Sequence, residues 1–368
     1  MRSGTQPTGV TETRPARRPP RPGFWHRWVY LRLPYHLLKL HYSKPHVLLA
    51  LLCLMIGLIL LGLAAIDWPG QVAVTGDLVA MSVSMRIDRG LDMEPGLPLD
   101  PKRPISLAEF TTITPGPSAP VPRSAVLQPA GDVELAALHV APGGLLTLSM
   151  AQVGHRRAFR VLAGTGGGAS LDLQAAGPAV LRAGEAKVPL GPDDPALVTV
   201  ATDGRSQVPM RAALWLPGAA KPAAAQKDDD WAGQFVMEDV AVSGLRFGAE
   251  SSAPDASAFV SSIRQGKLTL VGTGQAEDLQ IGSPLAMTHF RGALVRLSVE
   301  PDGIHLFFSG LVHRLWLGPA TFAQDLTPTM LDIAYNTQWV KLTGAAALAL
   351  LGALLPGILT WFNDGTRA

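Results

Sequence analysis

Val47 to Ile66, VLLALLCLMIGLILLGLAAI, is a run of 20 residues without one charged side chain. As an α-helix at ~1.5 Å per residue it reaches ~30 Å, the hydrocarbon thickness of a bilayer. A cleaved signal peptide fits poorly, because 46 residues precede the run. The run is also longer than the ~7–15 apolar residues of a signal sequence. The sequence predicts transmembrane helix 1, an uncleaved signal anchor. A second uncharged run, Leu342 to Phe362 (LTGAAALALLGALLPGILTWF), stops six residues before the C-terminus. It predicts transmembrane helix 2, with 363–368 as a short tail.

Charge sets the expected orientation. Residues 1–46 hold nine Arg and Lys and one acid, a net +8 against −6 on the remainder, for +2 overall. Asp67-Trp68-Pro69-Gly70, just after the first run, carry no cation. The positive-inside rule then places both termini in the cytoplasm and residues 69–338 in the periplasm of a bacterial inner membrane. Residues 1–23 read as a disordered basic tail, and 24–46 (FWHRWVYLRLPYHLLKLHYSKPH) as an interfacial amphipathic segment beside anionic lipid. The tail is better explained as a topology determinant and lipid tether than as a docking arm. Trp25, Trp28, Trp68, Trp339 and Trp361 are expected in the headgroup zone, which indole favours. In the second run Ala345, Ala349 and Ala353, with Gly352 beside them, form a small-residue seam for close helix packing.

Between the runs the chain reads as β structure. Gly and Pro total 38 and 31, which argues against long helices. Stretches such as Val79–Ile87, Glu134–Val140, Leu145–Met150, Leu171–Leu173, Leu197–Ala201 and Ala212–Leu216 are short and apolar, with Gly, Pro and Asp turns between them. Residues 91–130 hold nine prolines and are expected to be an extended loop outside the core. Residues 217–230, PGAAKPAAAQKDDD, read as a linker between a β domain at 69–216 and a second at 231–338. In the second, Arg291–Glu300 and Ile304–Gly310 flank Pro301-Asp302-Gly303 as a hairpin. Ala293, Val295, Leu297 and Val299 are expected on one face. Ala258–Arg264 reads as a short helix. The predicted fold class is a mainly β periplasmic region, sandwich-like and in two β modules, flanked by two transmembrane α-helices.

Motifs for chemistry are lacking. Gly164-Thr165-Gly166-Gly167-Gly168-Ala169 matches a dinucleotide-binding pattern, but Ser170–Leu173 reads as strand where a helix would have to begin. A hairpin turn explains it better, and Gly272-Thr273-Gly274 fails likewise. The nine histidines show no metal spacing, although His305 and His313 are near enough to meet across adjacent strands. Asp193-Asp194 and Asp228-Asp229-Asp230 lack the alternating ligands of a calcium loop. The single cysteine, Cys53, excludes an internal disulfide. No catalytic residue, cofactor or metal site is therefore expected. The −6 balance outside the basic tail argues against nucleic acid. These features point to a non-catalytic accessory or scaffold subunit of an inner-membrane complex. Its expected partners are other membrane-protein subunits, lipid and envelope polysaccharide. The alternatives are a transmembrane sensor, or a membrane-anchored periplasmic hydrolase for which no motif stands out.

Overall fold

The structure, a computed structural model, describes residues 55–58, 61–62, 65–66, 70–115, 123–153, 156–191, 196–218, 231–249, 260–318 and 322–336. The chain divides into two compact units, Met1–Leu63 and Ala64–Ala368. In the first, the described residues 55–58 and 61–62 are helical and exposed. No helix among the described residues is long and apolar enough to cross a membrane. The expected fold class is thereby corrected: the described residues are mainly β, and no membrane-spanning helix is found among them. The helices among the described residues are too short to span. The helix at Met330–Asn336 has seven residues, which is ~10 Å, a third of a bilayer's hydrocarbon. Residues 342–362, and most of 47–66, lie outside the described residues.

The second unit is built from short strands. β1 (Val72–Ala80) and β2 (Ser82–Ile87) lead into β3 (Leu91–Met93), β4 (Leu97–Leu99), β5 (Ile105–Ala108) and β6 (Thr112–Thr114). Then follow β7 (Ser124–Pro129), β8 (Val133–Val140), β9 (Leu145–Val153), β10 (Arg156–Thr165) and β11 (Ala169–Ala175). β12 (Ala179–Ala183), β13 (Ala186–Leu190), β14 (Ala196–Thr202) and β15 (Met210–Leu216) come next. Past residue 230 lie β16 (Val236–Arg246), β17 (Gly248–Ala249), β18 (Val260–Ser261), β19 (Ile263–Leu270) and β20 (Gln275–Leu279). The last are β21 (Leu285–Thr288), β22 (Arg291–Glu300), β23 (Gly303–Val312), β24 (Arg314–Leu317) and β25 (Gln324–Asp325), before helix α1 (Met330–Asn336).

Fourteen strands form one sheet, ordered β13-β12-β7-β5-β15-β10-β9-β2-β16-β22-β23-β1-β19-β20. A six-stranded sheet contains β3-β8-β11-β14-β6, with β4 also paired to β8. β1 lies between β23 and β19, and β2 between β9 and β16. Strands from 69–216 and from 231–338 thus share one ladder. The core crosses the same boundary: Phe159 and Phe235, both fully buried, meet edge-on at 5.2 Å. Burial alternates along most strands, as in β11, where Ala169, Leu171, Leu173 and Ala175 point inward. Only 217 and 218 of the expected linker are described.

Three local expectations change. The proline-rich 91–130 contributes β3 to β7, and Leu97, Leu99, Ile105, Leu107 and Leu127 are buried. The prolines are tolerated because most punctuate short strands, while Pro98 sits in a three-residue strand paired only with β8. Val260–Ser261 and the start of β19 at Ile263 are strand where a helix was expected. The 291–310 hairpin forms, with Glu300 opposite Gly303, but its register shifts between Leu294 and Arg296. This bulge breaks strict alternation, so that Leu294, Leu297 and Val299 are buried and Arg296 is exposed.

The hairpin's turn carries a local ion pair. His305 Nε2 lies 2.8 Å from Asp302 Oδ1. Partial burial works to raise the Asp302 pKa, but the His305 hydrogen bond and charge, a backbone amide and Arg264 together hold it below the usual carboxylate value. A depressed folded pKa gives stability that is present above the unfolded value near ~4 and lost as pH falls through the folded one. Asp302→Asn should therefore lower the melting temperature at pH 7, with the gap to wild type closing below about pH 4. A gap that is constant from pH 7 to pH 3 contradicts this assignment.

Candidate functional site

The outer face of the six-stranded sheet carries a polar row. Asp92 on β3 is the register partner of His139 on β8, which faces Ser170 on β11, followed by Ala201 on β14. Alternation explains the row, because Leu91, Val140, Ala169 and Leu171, adjacent in sequence, are buried. His139 Nδ1 lies 2.7 Å from Asp92 Oδ1. The row lines an open groove of about 590 Å³ with Arg89 and Thr202 at its border. Two residues along β11 from Ser170, Asp172 has one buried carboxylate oxygen without a hydrogen-bond partner.

Glycines shape the groove. Gly164–Ala169 joins β10 to β11, and these belong to different sheets, so it is a corner between sheets and not a hairpin. Gly164 has φ +99°, and a Cβ there would strike Thr202. A Cβ on Gly167 would come within 2.8 Å of the Gly144 amide nitrogen. No helix follows these glycines, so a dinucleotide phosphate finds no ring of helix amides here.

A second surface lies on the outer face of the larger sheet. Across six strands the register reads Glu238, Arg296, Phe307, Asp77, Lys267, Asp278, all exposed. Arg296 Nη1 and Glu238 Oε1 are 3.8 Å apart. Phe307 is 44% exposed at the middle of these charges. The neighbouring row is Ala241, Ala293, Ser309, Thr75, Thr269, Ala276. An aromatic ring thus stands beside a shelf of small side chains.

The helix-packing residues Ala345, Ala349, Gly352 and Ala353 lie outside the described residues, as do Trp25, Trp28, Trp68, Trp339 and Trp361. His305 and His313 do not pair. His305 bonds Asp302, and His313 packs edge-on against His289 at 5.4 Å. Among the described residues no group of three or more His, Cys, Asp or Glu could hold a metal. Sequence reasoning missed Asp92, His139, Ser170 and Phe307. Their outward positions follow from alternation, but their lateral alignment depends on register between distant strands. Compared with family models, with curated proteins and with solved structures, the chain matches none.

Proposed function

We propose that the chain is a scaffold subunit of a bacterial inner-membrane complex, whose β module offers a docking face to a partner. The observation that carries this reading is Phe307, an exposed aromatic within alternating charges and beside a shelf of small residues. Interface energy concentrates in aromatic anchors, and the surrounding charges give register and choice of partner. A partner protein with the inverse charge order fits the row Glu238, Arg296, Asp77, Lys267, Asp278. Envelope glycan fits the same face through stacking on the ring. The large ladder supports the reading, because a face spread over six hydrogen-bonded strands is already organised before binding. The uncharged runs 47–66 and 342–362 and the basic segment before the first support a place at the membrane, without resting on a spanning helix.

Phe307→Asp tests the reading. Removing a hot-spot aromatic costs about 2 kcal/mol or more, which is ~30-fold in affinity. Co-purification of the partner should fall accordingly, while the melting temperature stays near wild type because the side chain is already exposed. Unchanged recovery removes Phe307 from the interface.

A further inference from the structure

The groove on the six-stranded sheet has an arrangement that docking does not require. His139 directs Nδ1 to Asp92, so its Nε2 is on the ring edge away from that carboxylate. Ser170 is the register partner of His139 on the far side from Asp92. Directly opposed residues in antiparallel strands hold their Cβ atoms ~4.5–5.5 Å apart, which leaves Ser Oγ and His Nε2 within reach of a rotamer change. Neither Ser170 Oγ nor His139 Nε2 bonds another described residue. Arg89 borders the same groove.

We propose that Asp92, His139 and Ser170 form an acyl-transfer triad that hydrolyses short-chain carboxylic esters of hydroxylated ligands. Asp92 fixes the His139 tautomer by accepting the Nδ1 proton and stabilises the imidazolium that forms. Ser170 Oγ attacks the ester carbonyl carbon and gives its proton to His139 Nε2. Arg89, which lines the same groove, supplies positive charge where negative charge develops on the tetrahedral oxyanion. Collapse breaks the carbon–oxygen bond to the alcohol, which leaves with the proton from His139. Water then attacks the acyl-Ser170 ester, His139 takes its proton, and release of the carboxylic acid restores the serine hydroxyl. The acyl group is short because the groove is open and its apolar lining, Leu91 and Val140, is buried beneath it. The alcohol side is large and hydroxylated, since it extends along a polar sheet face.

The test uses the purified full chain with a fluorophosphonate probe and with p-nitrophenyl acetate. The expected result is a covalent phosphonyl adduct on Ser170, located by mass spectrometry, and ester turnover above that of the heat-unfolded chain. Ser170→Ala should lose both. His139→Ala should cut turnover by ~10²–10⁴-fold and regain part of it with added imidazole. No adduct on Ser170 in the folded wild type overturns the proposal, as does turnover that Ser170→Ala leaves unchanged. Ser170→Ala should keep its partner, because Phe307 lies on another sheet. A failure of docking and a failure of the triad are therefore read separately.

Discussion

Phe308→Ala should destabilise the β module by about 3–5 kcal/mol, the range for emptying a buried aromatic site. Phe308 is fully buried and packs against Phe290 edge-on at 5.6 Å and against Phe247 at 6.0 Å. Gly76, on the adjacent strand β1, leaves room for its ring, and a Cβ there would collide with it. The site therefore joins β1 to the β22–β23 hairpin through one side chain. Denaturant unfolding of the folded chain, followed by tryptophan fluorescence, measures the loss. A change below about 1 kcal/mol would mean that the ring is not part of the core.

Gly292→Ala should be nearly as damaging, although it adds one methyl group. Gly292 and Gly310 face each other across β22 and β23. A Cβ on Gly292 would strike the Ser309 carbonyl oxygen and lie 2.5 Å from the Gly310 Cα. These are backbone atoms of a paired strand, so they cannot turn away as a flexible side chain can. The expected cost is about 3 kcal/mol, at the upper end for overpacking. Gly272→Ala is the control. Nothing lies within 4 Å of a Cβ there, and its φ is not in the left-handed region. It should change stability by less than about 0.5 kcal/mol. Equal effects at the two glycines would contradict the close strand approach.

Much of the β architecture was legible because alternation and turn residues are local. The 291–310 hairpin follows from two apolar-alternating stretches around Pro301-Asp302-Gly303. The bulge after Leu294 was not legible, since it depends on how β22 meets β16 and β23 together. Counting prolines across 91–130 hid five short strands, whose stability comes from pairing with β8, β14 and β15 and with each other, not from their own propensity. The interleaving of β1 among β19 and β23 was equally hidden, because nearly 200 residues separate partners such as Val74 and Leu270. The candidate site suffered most. Asp92, His139 and Ser170 are unremarkable in sequence, and only two strand registers bring them into one row. Phe307 looked like any strand aromatic until its face was known.

The proposed docking face is tested most directly by a photo-crosslinking amino acid placed at position 307 of the full chain expressed in cells. A second chain carries it at 185, an exposed position in the turn between β12 and β13. Irradiation should give one discrete adduct to a partner from 307 and none from 185. Reversing the charges at Arg296 and Lys267 to Glu should remove that adduct. A chain that gives no adduct from 307, or the same adducts from 307 and 185, contradicts the scaffold account.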